Sequence, residues 1–216
     1  MKFPKKTIEL IKQALVKQGI TNKYLLVGIL AVVSTEGGFV PRSEMSYKNT
    51  NNKRLRILFG SRLPESEDEL TALKKDDVKF YDRIYGGKHG NNQVGDGFKY
   101  RGRGFNQITY KDLYKKYGDA IGVDLVNNPD RLNEIEVAAD ALAVFFKDSL
   151  NIGFSGHAQR RFGISKMEDI KDFDTATKIA FSCNAGWGTN WMKNEALAHE
   201  NKIQQQNALE IDTMLT

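Results

Sequence analysis

The sequence is poor in cysteine, histidine and proline, with one, three and four residues respectively among 216. A single cysteine, Cys183, excludes an intramolecular disulfide and is compatible with synthesis in a reducing cytoplasm. His89, His157 and His199 lie far apart without the spacing of metal ligands, so we expect no metal site. No segment approaches the ~20 apolar residues that a membrane span needs. The amino-terminal residues lack the unbroken apolar run of a signal peptide.

The sequence does contain enough apolar and aromatic residues for a sizeable core. Hydrophobic residues make up 40% of the chain, with twelve Phe, eight Tyr and two Trp, and no linker rich in Pro or Ser interrupts it. We therefore predict one domain spanning residues 1–216. The net charge of +5 suits an anionic partner such as a bacterial cell wall or a nucleic acid. Charges of both signs are interspersed, however, and ordinary solubility accounts for them equally well.

The hydrophobic pattern is helical over most of the chain. Apolar residues from Ile8 to Val16 predict an amphipathic helix that ends near Gly19. Thr21 or Asn22 then caps a helix that is apolar nearly all round, which we expect to be the central buried helix. Further helices are predicted in KRLRILFGSRL, SEDELTALKKDDVKFYDRIYGG, TYKDLYKKYG, IEVAADALAVFFKDSL and DTATKIAFSCNAG, and a last one from about 191 to 209. Only FKYRGRGFNQITY suggests a short strand pair or an extended segment.

Glu36 is the first candidate for catalysis. It lies in the last turn of the apolar helix, before the glycine pair Gly37-Gly38 that stops the helix. A carboxyl group at the end of a buried helix loses hydration, which raises its pKa. A carboxylic acid that is still protonated near neutral pH can protonate the leaving oxygen of a glycosidic bond. A solvated glutamate in a frayed helix end fits the same local pattern.

Glu44 follows eight residues later, in the polar segment PRSEMSY. A loop carboxylate paired with a buried one fits an inverting glycosidase, in which one group is the acid and the other activates a water. That arrangement needs carboxyl groups ~6.5–9.5 Å apart, a distance that a sequence does not give. A loop glutamate is also commonly just a solvated side chain.

The segment GDGFKYRGRGFNQITY is unusually dense in glycine, aromatic and basic residues, and it contains Gln107 and Thr109. Aromatic faces stack on sugar rings while amides bond sugar hydroxyl groups, so the segment favours carbohydrate binding. RGRG alone is a weak indication of nucleic-acid binding, and no basic face repeats it. Asn184, in CNAGWGTNW, is a candidate to orient a catalytic water or to bind a sugar acetamide, and it also fits a helix C-cap.

Three blocks of the sequence, in the same order, resemble the family 19 glycoside hydrolases, the family of chitinases and phage endolysins. STEGGF is similar to the family's His-Glu-Ser/Thr-Gly-Gly-Phe segment, which contains the general acid. GDGFKYRGRGFNQIT and YGDAIGVDLVNNPDRL are similar to its Tyr-x-Gly-Arg-Gly-x-x-Gln-Leu-Thr/Ser and Ile-Gly-Val-Asp-Leu-x-x-Asn-Pro-Asp segments. NAGWG resembles its late Asn-Gly-Gly turn. The resemblance covers roughly residues 25–190.

The resemblance implies a role for each matched residue. Glu36 falls on the general acid, and Glu44, in SEMSY, falls on the base that activates water. Arg101 and Arg103 are expected to brace the backbone. Substrate-binding roles are implied for five further side chains: Tyr47, Gln107, Thr109, Tyr114 and Asn184.

Two positions depart from the family pattern. Thr35 stands where the family usually has His before the acid, and Leu113 stands where many members have an Asn that contacts sugar. An arginine match near the carboxyl terminus is also absent. Neither substituted position removes a catalytic carboxylate, so we still expect activity.

The resemblance further implies a lysozyme-like, mainly α (α+β) fold with at most a small β element and two lobes flanking a substrate cleft. It implies an endolysin-type hydrolase that cleaves β-1,4 bonds of peptidoglycan or chitin with inversion, as a monomer without a cofactor. The segment after Glu36 looks more like phage lysins than plant chitinases, so we expect synthesis in a host cytoplasm and delivery to the wall by a holin or within a virion. A chitinase and a non-catalytic wall-binding virion protein are the alternatives, whereas nucleic-acid binding is not expected.

Overall fold

A computed structural model describes residues 3–216 of the protein, which are mainly helical, as the sequence predicts. The only β pairing in this part of the chain is one antiparallel bridge between Arg103 and Ile108. The helices are α1 Lys5–Lys17, α2 Lys23–Glu36, α3 Asn52–Phe59, α4 Glu67–Leu73, α5 Asp77–Tyr85, α6 Asp96–Lys99, α7 Lys111–Ile121, α8 Ile135–Ile152, α9 Ala158–Phe162, α10 Phe173–Ala185 and α11 Glu195–Leu215.

The chain divides into two compact units. The first unit is discontinuous and comprises Met1–Pro41 and Glu134–Thr216, and the second comprises Arg42–Asn133. The sequence analysis predicts one domain, and no shift in composition or linker marks the two points where the chain passes between the units. Glu36 belongs to the first unit and Glu44 to the second.

Helix α2 is the centre of the first unit. It packs against α10 and α11, while α1 packs against α8. Nine consecutive residues of α2, from Leu25 to Val33, are buried, which explains why this helix is apolar nearly all round. Asn22 caps its first turn by accepting a hydrogen bond from the Leu25 amide, at 3.0 Å, as one of the two predicted caps.

The second unit is built around a small aromatic core. Its buried members come from α3, α4, α5 and the turn after α3, and they are Leu55, Leu63, Leu70, Phe80, Tyr81 and Ile84. Tyr47 and Tyr85 pack against this core while remaining only partly buried. Because both tyrosines are fixed at their rings, their hydroxyl groups are held in defined positions.

The predicted strand pair is wrong over its first half. Phe98 and Lys99 belong to the short helix α6, and only the single bridge between Arg103 and Ile108 remains of the extended pairing. Burial in this segment does not follow the period of a strand, because residues 102–105 are buried consecutively, followed by Ile108.

The last helix begins and ends later than the sequence predicts. Residues Trp191–Lys193 form a separate 3-10 turn, and Asn194 caps α11 by accepting a hydrogen bond from the Leu197 amide. The turn is fixed by burial of Trp191, whose indole nitrogen donates to Ser182 Oγ at 2.9 Å. None of the described helices is both long and apolar enough to cross a membrane.

Close packing of α2 against α10 depends on Gly28. A Cβ at this position would lie 2.8 Å from the Ala176 carbonyl carbon, which is backbone and cannot rotate away. We predict that Gly28→Ala lowers the stability by about 1–3 kcal/mol through overpacking, against a helix-propensity gain of about 1 kcal/mol. Thermal unfolding measures the change. Gly188→Ala is the matched control, since an added Cβ meets nothing there, and an equal or higher Tm for Gly28→Ala would contradict this packing.

Candidate active site

Glu36 is the last residue of α2, where the buried part of the helix ends. The Gly37 amide still donates to the Val33 carbonyl, and the following glycine, Gly38, has a φ of 61°, which turns the chain away. The side chain of Glu36 is exposed. The predicted helix end is therefore correct, and it leaves the carboxyl accessible to a ligand.

Asn184 is the hydrogen-bond partner of Glu36. Its side-chain amide nitrogen donates to Glu36 Oε1 at 2.7 Å. Asn184 lies inside α10, which continues to Ala185 and is closed by Gly186 at a φ of 85°. The C-cap interpretation of Asn184 is therefore wrong, and its side chain is directed to the predicted general acid.

The environment raises the pKa of the Glu36 carboxyl above its ordinary value. Desolvation by the surrounding protein is the largest cause, and the negative charge of Glu200 on α11 adds to it. The hydrogen bond from Asn184 acts in the opposite direction because it stabilises the ionised form. Since solvent also reaches the side chain, water screens part of the charge interaction.

A row of buried amides on α11 holds the end of α2. Gln204 Nε2 donates to Thr35 Oγ1 at 2.9 Å, and Asn207 Nδ2 donates to Ser34 Oγ at 2.8 Å. The two hydroxyl groups in turn donate to carbonyl groups of α2 itself. Thr35, the departure from the family's usual His, therefore has a structural role in this chain, since it links the turn that carries Glu36 to α11.

In the second unit, Glu44 is held by four hydrogen bonds from three groups. Tyr47 donates to Oε1 at 2.8 Å, Tyr85 donates to both oxygens at 3.1 and 3.2 Å, and the Gly102 amide donates to Oε2 at 3.2 Å. The Glu44 amide returns a bond to the Gly102 carbonyl at 2.7 Å. Such a set fixes the orientation of a half-buried carboxylate, so Glu44 is not an ordinary solvated loop residue.

Gly102 brings Glu44 and Gln107 together. A Cβ on Gly102 would lie 2.7 Å from Gln107 Oε1 and 3.3 Å from Glu44 Oε2. Gln107 Nε2 donates to the carbonyl groups of Arg42 and Gly104, at 2.9 and 3.2 Å. Gly102, the first glycine of the RGRG segment, is therefore needed because it leaves space beside Glu44 and Gln107.

Backbone strain is concentrated next to this group. Gln107 and Tyr110 have φ values of 53° and 77°, in a region that side chains other than glycine rarely adopt. Between them, Thr109 Oγ1 donates to the Gln107 carbonyl at 3.0 Å. Strained residues of this kind cluster at functional sites, where the surrounding structure holds them in place.

Tyr114 is not placed to contact a sugar. Its side chain is fully buried, and its hydroxyl donates to the Arg101 carbonyl at 2.6 Å and accepts from Arg103 Nη1 at 2.8 Å. Burial raises the pKa of this phenol to about 12. The sugar-binding role implied by the resemblance is therefore replaced by a bracing role, because Tyr114 has no surface left for a ligand.

The two arginines of the RGRG segment brace the backbone, as expected. Arg103 is 2% exposed, donates to the Lys99 carbonyl and pairs with Asp130 at 2.8 Å. Arg101 donates to the Phe98 carbonyl and lies over the Phe98 ring at 4.1 Å. With Arg103 buried and neutralised, the segment does not present two free arginines to a nucleic acid.

The structure thus forms two groups from the predicted residues. Glu36 and Asn184 meet in the first unit, and Glu44 and Tyr47 meet in the second, with Gln107 and Thr109 in the same group.

Sequence reasoning missed Tyr85 and Glu200. Tyr85 had a signal, because it ends α5 before Gly86-Gly87 just as Glu36 ends α2 before its own glycine pair. Within residues 3–216, no three His, Cys, Asp or Glu side chains are grouped to hold a metal ion.

Parts of this sequence match a family model and several known proteins. Residues 77–158 match a family model, Glyco_hydro_19, described as chitinase class I. A "Glycosyl hydrolase family 19 domain-containing protein" of Haemophilus influenzae is 37% identical over 116 residues, which are 50% of this chain and 54% of that protein. "Chitinase 11" of Oryza sativa subsp. japonica is 49% identical over 47 residues, 22% of this chain and 18% of that protein. "Basic endochitinase" of Vitis vinifera is 55% identical over 49 residues, 23% and 14% respectively.

These matches confirm the resemblance to glycoside hydrolase family 19 that was found in the sequence. The chain spans between 14% and 54% of the length of these relatives. The family-model match begins after Glu36 and Glu44, so the structural environment described above carries the case for these two residues.

The pKa of Glu36 tests the environment assigned to Glu36 and Asn184. Replacing Asn184 with Ala removes the hydrogen bond that favours the ionised carboxylate, so we predict that the pKa of Glu36 rises further. A carbon-detected NMR titration of the carboxyl resonances, assigned with Glu36→Gln, measures it. The control is Asn151→Ala, an exposed Asn at the end of α8. A pKa that stays constant or falls in Asn184→Ala would contradict the assigned environment.

Proposed function

We propose that this protein is an endolysin-type glycoside hydrolase, which cleaves β-1,4 bonds in the N-acetylated sugar polymer of bacterial peptidoglycan by an inverting mechanism with two carboxylates. The observation that carries the proposal is Glu36, an accessible carboxyl group at a helix end with a raised pKa and a single amide partner. The similarity to family 19 supports the reaction class.

Glu36 is the general acid in this proposal. A raised pKa keeps the carboxyl protonated at higher pH, and the proton is then available to the leaving oxygen as the glycosidic bond breaks. Asn184 holds Oε1, which leaves Oε2 to deliver the proton. General acid catalysis of this kind contributes typically ~10²–10⁴-fold to the rate.

Glu44 is the general base. Its carboxylate is oriented by Tyr47, Tyr85 and the Gly102 amide, so that it can take a proton from a water that attacks the anomeric carbon. The exposed side chain of Gln107 and the hydroxyl of Thr109 lie in the same unit and supply polar groups for sugar hydroxyls or for that water. An inverting single displacement requires one acid and one base, and Glu36 and Glu44 are the carboxylates that we propose for these two roles.

We propose bacterial peptidoglycan as the polymer that is cleaved. A net charge of +5 favours association with an anionic cell wall. The names of two relatives, "Chitinase 11" and "Basic endochitinase", favour chitin as the second candidate. We further propose that the protein acts on the wall after holin-mediated release or as part of a virion.

The experiment compares the protein with its Glu36→Gln variant on purified bacterial sacculi and on chito-oligomers, with released fragments identified by mass spectrometry. We expect the wild type to release disaccharide-peptides and the variant to lose at least about a hundredfold in rate, because its side chain cannot donate the acid's proton. The ends of the fragments identify the cleaved bond. Release from chito-oligomers alone would favour chitin, and no release from either polymer would overturn the hydrolase proposal.

Thermal unfolding is the control for folding. The pKa of Glu36 is higher in the folded chain than in the unfolded chain, so the unfolded chain releases this proton more readily. The folded state therefore loses stability as the pH rises from the unfolded pKa through the folded pKa. Glu36→Gln removes the ionisation and should unfold at the same or a higher temperature than the wild type at neutral pH. A lower Tm would mean that its loss of activity reflects folding.

A further inference from the structure

A polar pocket lies in the first unit, on the chain segments that follow α8 and α10. Its volume is about 370 Å³, and it is lined by His157, Arg160, Arg161, Asn190 and Met192. The arginines are on the short helix α9, which the sequence analysis did not predict. None of these side chains belongs to the pair of Glu36 and Asn184 or to the set of residues around Glu44.

The lining carries positive charge without a compensating acid. Two guanidinium groups and an imidazole line the pocket, and no Asp or Glu does. Across residues 3–216, no ion pair involves Arg160 or Arg161. Arg161 Nη2 donates to the Trp187 carbonyl at 3.1 Å, whereas its Nη1 is buried and has no acceptor. A buried charged donor without an acceptor is costly, and an anionic oxygen would satisfy it.

The backbone around the pocket is shaped to hold these cations. A wide helical turn, Gly153–His157, joins α8 to α9, and Gly156 within it has a φ of 135°. A Cβ on Gly156 would lie 2.9 Å from Arg160 Nη1, so the guanidinium group lies across the bare backbone of this glycine. The positive φ and the absent side chain together give Arg160 a defined position.

Trp187 packs against His157, one of the side chains that line the pocket. Its ring also packs against Phe162, and its indole nitrogen donates to the Ser149 carbonyl at 2.8 Å. Gly153 permits this packing, because a Cβ there would overlap the indole ring. The buried indole thus fixes the carbonyl group to which Arg161 is bonded.

We propose that this pocket binds an oxyanion of the cell-wall polymer, a carboxylate or a phosphate. Guanidinium groups present planar, forked donors that match both anions, and this accounts for two adjacent arginines better than a neutral sugar does. Chitin consists of neutral sugars, whereas peptidoglycan carries free carboxylates on its stem peptides. The inference rests on the proposed function and selects the anionic wall over chitin.

The pocket is close enough along the chain to serve the same polymer as Glu36. Asn184, which is bonded to Glu36, and Asn190, which lines the pocket, are separated by six residues. Six residues span at most about 22 Å even when fully extended. A wall strand that is held at Glu36 therefore has the pocket within reach of its neighbouring anionic groups.

The test is charge reversal at Arg160, which is exposed on α9. Arg160→Glu is compared with Lys171→Glu, an exposed site in the same unit that gives the same change in net charge. KM and kcat are measured on soluble glycan strands bearing stem peptides and on neutral chito-oligomers. We expect Arg160→Glu to lower the preference for the anionic strands by roughly tenfold, mainly through KM, because a charge-assisted bond is lost.

A binding measurement separates this inference from the proposed function. Titration of a muramyl tetrapeptide, followed by tryptophan fluorescence because Trp187 packs against the lining residue His157, requires no hydrolysis. Weakened binding in Arg160→Glu but not in Lys171→Glu supports the pocket even if no substrate is cleaved. Equal binding and equal preference in both variants and the wild type would overturn it, whether or not the protein is a hydrolase.

The source of the anion is resolved by two further substrates. Walls carrying phosphate polymers are compared before and after chemical removal of those polymers, again with both variants. An Arg160→Glu defect that survives removal assigns the pocket to a carboxylate. A defect that disappears with the phosphate assigns it to a phosphate. The absence of a defect on either wall counts against the pocket.

Discussion

The burial of α2 between α10 and α11 determines where the Glu36 carboxyl lies. An unbroken apolar helix must be covered on every side, and α2 achieves this up to Val33, three residues before the acid. The last turn then changes character, because Ser34 and Thr35 are bonded to amides of α11 and Glu36 is bonded to an amide of α10. The helices that bury α2 thus also provide the polar groups that position and tune its terminal carboxyl.

The second unit holds its carboxylate by different means. Glu44 lies in a loop, and aromatic packing against a small core replaces helix burial as the source of rigidity. Tyr47 and Tyr85 are anchored by that core and present their hydroxyl groups to Glu44, while Gly102 supplies an amide and leaves space. A carboxylate that is oriented by several donors suits a base that must face a water molecule, and a carboxyl whose pKa is raised by desolvation suits an acid. The different environments of Glu36 and Glu44 therefore correspond to the two roles proposed for them.

Local sequence signals predicted the features that depend on neighbouring residues. The Asn22 cap and the end of α2 at Glu36 follow from capping chemistry and the glycine pair, and both are correct. Features that depend on distant residues were not predictable in this way. The sequence places Tyr85 at a helix end, but it does not reveal that Tyr85 reaches Glu44 across 41 residues. Glu200 likewise acts on Glu36 from a helix whose start depends on burial of Trp191. Tyr114 shows the limit of resemblance, because its position in the motif did not reveal that Arg103 would bury it.

The central claim is that Glu36 and Glu44 are the acid and base of a single inverting displacement, and the configuration of the first product tests it most directly. Proton NMR during the first minutes of cleavage of a soluble β-1,4-linked oligomer distinguishes the anomers before they equilibrate. The account predicts that the new reducing end appears as the α-anomer, because water activated by Glu44 attacks the face opposite the leaving group. Initial release of the β-anomer would show retention and would contradict the role assigned to Glu44.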